Sequence, residues 1–168
     1  MTTAINRADF LHGVFYGNRT TIRPPWAIAE VDFISACNHC GDCVKCCPTQ
    51  IIRMGRGQYP VIDFESGECL FCDECLNACH SGAITRTPEA LPWSISARID
   101  EYKCIAFQQV ECRSCFDPCE NRAITMQYRI NSTAIPIIDA ACCNGCGACY
   151  STCPVQAIEM KPSIEDAA

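Results

Sequence analysis

The chain has 168 residues, a formal charge of −6 and 18 cysteines. An acidic chain of this kind carries no electrostatic footprint for nucleic acid, and no apolar stretch reaches the roughly 20 residues of a membrane span. Cysteine inflates the hydrophobic fraction of 49%, so the core stock is modest and metal is expected to do part of what a larger core would do.

In chain order, residues 1–33 form an N-terminal arm without cysteine. Ala4, Ala8, Leu11 and Phe15 fall at helical spacing, with Gly17 as a stop. The arm lacks a signal peptide's apolar run, which makes the cytoplasm the default location. Arg23-Pro24-Pro25-Trp26 follows as a stiff segment that either caps the neighbouring module or docks a partner. Residues 34–87 then hold two copies of C-x2-C-x2-C-x3-C: Cys37, Cys40, Cys43, Cys47 and Cys69, Cys72, Cys75, Cys79. Between them, apolar strands over 51–54 and 60–63 flank Gly55-Arg56-Gly57-Gln58, the pattern of a β-hairpin.

Two prolines, Pro88 and Pro92, mark a linker over 88–96. Residues 97–161 repeat the arrangement. A strand over 97–100 precedes Cys104, Cys112, Cys115 and Cys119, which is C-x7-C-x2-C-x3-C. Strands over 124–128 and 136–139 lead to Cys143, Cys146, Cys149 and Cys153, again in the short spacing. A tail over 162–168 ends the chain. After the fourth cysteine of each run comes Ile51-Ile52, Ala83-Ile84, Ala123-Ile124 or Ala157-Ile158, expected to follow a short helical turn and to cover the cysteine loop. The repeat of 32 to 39 residues predicts an α+β fold of tandem bacterial-ferredoxin-like modules, with short antiparallel strands and short helices.

The short run is the bacterial [4Fe–4S] spacing, in which three close thiolates hold one cube and the fourth reaches another. Thiolate is the soft ligand such clusters select. Disulfide frameworks do not repeat one tight spacing four times, and structural zinc wants two separated pairs. The sixteen cysteines therefore predict four [4Fe–4S] clusters. Pairing run one with two and three with four gives cages of Cys37, Cys40, Cys43 and Cys79; Cys69, Cys72, Cys75 and Cys47; Cys104, Cys112, Cys115 and Cys153; and Cys143, Cys146, Cys149 and Cys119. A nested pairing of one with four and two with three stays open. The seven-residue gap after Cys104 predicts a looser loop and a less firmly held cluster.

Around these runs, Gly41, Gly145 and Gly147 are either close-approach or ordinary turn glycines. Cys46 and Cys142 are left over, as spare thiols or as small neutral side chains. Lys45, Arg113 and Arg122 balance cluster charge or sit on a solvated surface. No G-x-G-x-x-G, phosphate loop or H-E-x-x-H is present, and with three histidines little remains for acid–base work, so the chain is not expected to be an enzyme.

Arg23-Pro24-Pro25-Trp26, four cysteine runs in this order, Val110-Glu111-Cys112-Arg113-Ser114-Cys115 and Cys143-Asn144-Gly145-Cys146-Gly147-Ala148-Cys149 together resemble the NapF family of ferredoxin-type proteins. The resemblance implies a cytoplasmic protein of the periplasmic nitrate reductase system. Its implied partner is the molybdenum-containing catalytic subunit, bound before export while its [4Fe–4S] cluster is put in place or supplied with electrons. Asn6-Arg7-Ala8-Asp9-Phe10-Leu11 has one arginine and no apolar segment after it, so twin-arginine export is not expected. Two functions stay open: a maturation factor for that subunit, and a carrier passing single electrons to a reductase.

Overall fold

The computed structural model describes residues 21–88, 91–130 and 132–162. The helical stripe expected from Ala4 to Phe15 and the tail from 163 onward lie outside the described residues.

Among the described residues, six short strands pair in three antiparallel ribbons. Strand β1 (Ile52–Met54) turns back into β2 (Pro60–Ile62) with Ile52 opposite Ile62. The hairpin closes through a hydrogen bond from Gly55 N–H to Tyr59 O at 2.8 Å, and Gly57 takes a left-handed φ of 65°. Strand β4 (Ile124–Gln127) pairs in the same way with β5 (Ile135–Ile138). Strand β3 (Ile95–Ile99) pairs with the last strand, β6 (Ile158–Pro162). Its counterpart in the first half is a single bridge between Ala27 and Ile84. Each half thus has an inner hairpin between its two cysteine runs and an outer pairing that joins the chain before the first run to the chain after the second. Pro60 and Pro162 sit at ribbon ends, where a missing N–H costs little.

β3 starts at Ile95, inside the stretch expected to be linker. Pro92 is the last breaker, and the following Ile-Ser-Ala-Arg-Ile run is free to ladder along β6.

Helix α1 (Glu30–Ala36) turns Phe33 fully inward and carries Glu30 and Asp32 in its first turn, where carboxylates favour the helix dipole. Three further one-turn helices are α2 (Asp42–Cys46), α3 (Glu74–Asn77) and α4 (Ala148–Ser151). They lie between the second and fourth cysteines of their runs, not after the fourth as expected. The gap of three residues between third and fourth cysteines spans one helical turn, so the turn forms there. Each helix is entered through a left-handed residue, Gly41, Asp73 or Gly147, and each run is left through another at Gln50, Gly82, Arg122 or Gln156. That repeated conformation, three residues beyond the last cysteine, turns the chain back toward its own loop.

The dipeptides after each run behave as expected. Ile51, Ile52, Ala83, Ile84, Ala123, Ile124, Ala157 and Ile158 are all 3% exposed or less. Ile51, Ile52, Ala83 and Ile84 belong to a hydrophobic cluster around Phe33 and Phe64, and Ile124 and Ile158 to a second one around Ala97. Ile95 packs into the first cluster although its strand belongs to the second half, and Tyr150 and Met160 flank both. The two halves therefore meet through continuous apolar contact.

Candidate metal centres

The third cysteine of every run occupies the same kind of place. Cys43, Cys75, Cys115 and Cys149 are buried, each at 7–8% exposure, because the left-handed residue before each one-turn helix, or the turn in run three, points it inward. Burial, and then neighbouring thiols, push Cys43 and Cys115 up to about 11 and Cys75 and Cys149 up to about 12. Such thiols stay protonated unless a cation takes the place of the proton.

The other positions are tied to backbone N–H groups. Cys69 Sγ accepts from Phe71 N–H at 3.4 Å and Cys79 Sγ from Ile84 N–H at 3.3 Å. Cys143 Sγ accepts from Ala97 N–H at 3.5 Å and Cys153 Sγ from Ala157 N–H at 3.2 Å. For Cys47 and Cys79 burial pushes the thiol up, but the hydroxyls of Thr49 and Ser81 together with several backbone N–H groups outweigh it and lower both. Hydrogen bonds of this type tune the potential of a bound cluster.

Each fourth cysteine lies near thiols of the adjacent run. Cys79 lies within electrostatic reach of Cys43, together with Cys37 and Cys40. Cys47 lines one cavity with Cys69, Cys72 and Cys75. Cys153 lines another with Cys104, Cys112 and Cys115. Cys119 lies within reach of Cys149 along with Cys143 and Cys146. Among the described residues, no three donors converge on a point as they would around one bare ion. Four soft thiols spread around an apolar cavity fit a polynuclear iron–sulfur group.

The insert after Cys104 is better ordered than its length implied. Phe107, Gln108 and Gln109 N–H bond back to Cys104, Ile105 and Ala106 carbonyls, and Val110 N–H returns to Ile105 O at 3.0 Å. Ala106 is 2% exposed, and its carbonyl also accepts from Thr133 Oγ1 at 3.0 Å. The seven residues form a closed turn that holds Cys104 at the cavity wall.

Of the remaining candidates, Cys46 is half-buried with its Sγ on Cys43 O at 3.4 Å, near Cys47, Glu74 and Cys72. Cys142 is exposed and donates to Asp139 Oδ2 at 3.4 Å. His39 Nδ1 lies 3.2 Å from Gln58 O and its ring meets Tyr59 edge-on at 4.4 Å, which fills the loop. Lys45 pairs with Asp42 at 3.0 Å. Arg113 lies over the Phe116 ring at 5.0 Å.

The Pro-Pro-Trp segment caps the first half. Trp26 Nε1 donates to Asp73 Oδ1 at 2.9 Å, and the Arg86 guanidinium lies 4.5 Å above the Trp26 ring. What sequence reasoning missed is the part played by Phe64 and Trp93. Both are single aromatics in short connecting stretches, and only the fold brings their rings together, 5.9 Å apart.

Residues 29–84 match the family model described as a 4Fe-4S dicluster domain, and residues 136–159 match a 4Fe-4S binding domain. Over 156 residues the chain is 36% identical to the ferredoxin-type protein NapF of Escherichia coli K12, spanning 93% of this chain and 94% of that one. The chain belongs to the NapF family of ferredoxin-type proteins. The Haemophilus influenzae NapF is 39% identical over 144 residues, covering 86% of this chain and 81% of its own. The ferredoxin-type protein NapG of Escherichia coli K12 is 29% identical over 162 residues, covering 84% and 70%. The dicluster match contains both cysteine runs of the first half. The second match contains the fourth run, and the run at Cys104 lies outside both stretches. No helix among the described residues is long and apolar enough to cross a membrane.

Proposed function

We propose that this chain is a cytoplasmic protein carrying four [4Fe–4S] clusters in two tandem modules, and that it binds the molybdenum-containing catalytic subunit of periplasmic nitrate reductase and assists assembly of that subunit's iron–sulfur cluster before export. Likeness to NapF over 93% of the chain carries this reading. Cys37, Cys40, Cys43 and Cys79 would hold one cluster, and Cys69, Cys72, Cys75 and Cys47 the next. Cys104, Cys112, Cys115 and Cys153 would hold a third, and Cys143, Cys146, Cys149 and Cys119 the fourth. The grouping is supported by the two cavities that each join a fourth cysteine to the neighbouring run, and by the matching strand pairings of the two halves.

A bound [4Fe–4S] cube accepts and returns a single electron. The chain's own contribution is to exclude water with the buried dipeptides, to orient the thiols, and to aim N–H groups at the sulfurs. No catalytic role beyond this is assigned to it. A second reading, a ferredoxin-type carrier passing single electrons to a reductase, is favoured by the proximity of Cys75 to Cys43 and of Cys149 to Cys115, which brings cages within each half close together.

Mixing the iron-loaded protein with the cluster-free catalytic subunit, without added iron or sulfide, separates the two. Maturation predicts a lasting gain of iron in the target after the proteins are separated. Activity that depends on continuous reductant, with no change in target iron, would sink the maturation reading and leave the carrier.

A further inference from the structure

Cys69 opens the second loop, and its N–H does not stay within its own half. It donates to the carbonyl of Cys146, in the fourth loop, at 2.8 Å, and the two thiols lie within electrostatic reach. Beside this bond Trp93 Nε1 donates to Asn144 O at 2.9 Å. The Phe64 ring packs between Trp93 and Tyr150, with centroids 5.9 and 6.2 Å away, and Phe71 meets Trp93 at 5.7 Å.

The two glycines of the fourth loop make this approach possible. A Cβ on Gly145 would stand 2.6 Å from Ile95 O, and one on Gly147 would stand 2.1 Å from Phe64 Cδ1. Cys146 is half-covered, as is Cys112 of run three, whereas Cys40 and Cys72, at the same position of runs one and two, are exposed. Within the halves, Cys75 lies near Cys43 and Cys149 near Cys115.

We propose that the two halves are joined cage to cage through the second and fourth loops, so that the four cages form one series in the order first, second, fourth, third. The proposal rests on the reading that each cage holds a [4Fe–4S] cluster. Its consequence is that the cages of Cys37, Cys40, Cys43 and Cys79 and of Cys104, Cys112, Cys115 and Cys153 are the two poles of the molecule. The loop with the long insert then stands at one of its ends.

Paramagnetic resonance of the full chain, reduced with dithionite, tests the order. A variant carrying Cys37→Ser, Cys43→Ser, Cys104→Ser and Cys115→Ser keeps the second and fourth cages, and should give a broadened, spin-coupled signal. A variant carrying Cys37→Ser, Cys43→Ser, Cys143→Ser and Cys149→Ser keeps the second and third, and should give two uncoupled signals. Uncoupled signals from the first variant would overturn the series while leaving the cluster reading intact. Absence of [4Fe–4S] signal and iron from the unaltered protein would overturn both.

Phe64→Ala with Trp93→Ala touches no cysteine and covers the case in which the multiple variants do not fold. Iron content should hold, while hydrogen exchange at the Cys69 amide rises by about tenfold, the effect of losing roughly one hydrogen bond's worth of protection. Unchanged exchange at that amide would also overturn the junction.

Discussion

Phe64 occupies the space that any side chain on Gly147 would need: a Cβ there would lie 2.1 Å from the ring, and the ring, 4% exposed, has nowhere to go. Gly147 also has a φ of +88°. Gly41 occupies the same position in the first loop with a φ of +75°, and a Cβ there would meet nothing within 4 Å. Gly41→Ala should therefore cost about 1 kcal/mol, the left-handed penalty alone. Gly147→Ala adds overpacking of about 1–3 kcal/mol. Thermal loss of cluster absorbance should rank the two in that order, and Phe64→Ala should recover much of the loss in the Gly147→Ala background. Equal costs at the two glycines would mean that the loops do not touch as described.

The proposed exchange of the fourth cysteines makes a prediction about pairs. Cys153→Ser should remove about four irons, one cube, and adding Cys104→Ser should remove no more, because both face one cavity. Cys153→Ser with Cys143→Ser should remove two cubes. Iron analysis of the single and double variants forms a cycle of the kind that reports coupling. Additive loss for Cys153 with Cys104 would place them in different cages.

Iron removal should unmake much of the fold, because the thiols are the centre of each half. Circular dichroism after chelation at pH 8 should show most strand and helix signal lost. The structure that remains should weaken further at high pH. Burial holds Cys43, Cys69 and Cys115 at about 11 and Cys75 and Cys149 at about 12, above an ordinary value of 9.0. A thiol raised in the folded chain contributes stability that is complete below about pH 9 and is lost as pH rises toward 12. A residual signal that strengthens over that window would contradict the burial of these thiols.

Arg23 should matter more than other surface cations. Its guanidinium bonds both oxygens of Glu30, at 2.8 and 2.6 Å, and Pro60 O at 3.0 Å, and lies 4.9 Å from the Phe33 ring centroid. Its side chain is 13% exposed, against 73% for Lys45 in its pair with Asp42. Arg23→Lys keeps the charge but loses the fork and should cost about 2 kcal/mol, whereas Lys45→Ala should be nearly neutral. Heat-induced loss of cluster absorbance compares them directly.

The sequence by itself determined the local chemistry: sixteen thiols in four runs, buried dipeptides behind each run, and hairpins at Gly55–Gln58 and between Gln127 and Ile135. These features are encoded within a few residues, since ligand spacing, turn glycines and apolar pairs act over short stretches of chain. It misplaced the short helices by a few residues, because the same one-turn signal can be written on either side of the fourth cysteine. It also took the insert after Cys104 for a loose loop, since the hydrogen bonds that close it and the Thr133 contact that anchors it leave no periodic mark. Only the tertiary structure decided which thiols share a cavity and how the halves meet. Those outcomes depend on contacts such as Cys69 with Cys146 and Phe64 with Gly147. They join residues more than seventy positions apart, where steric fit, rather than spacing, selects the partner.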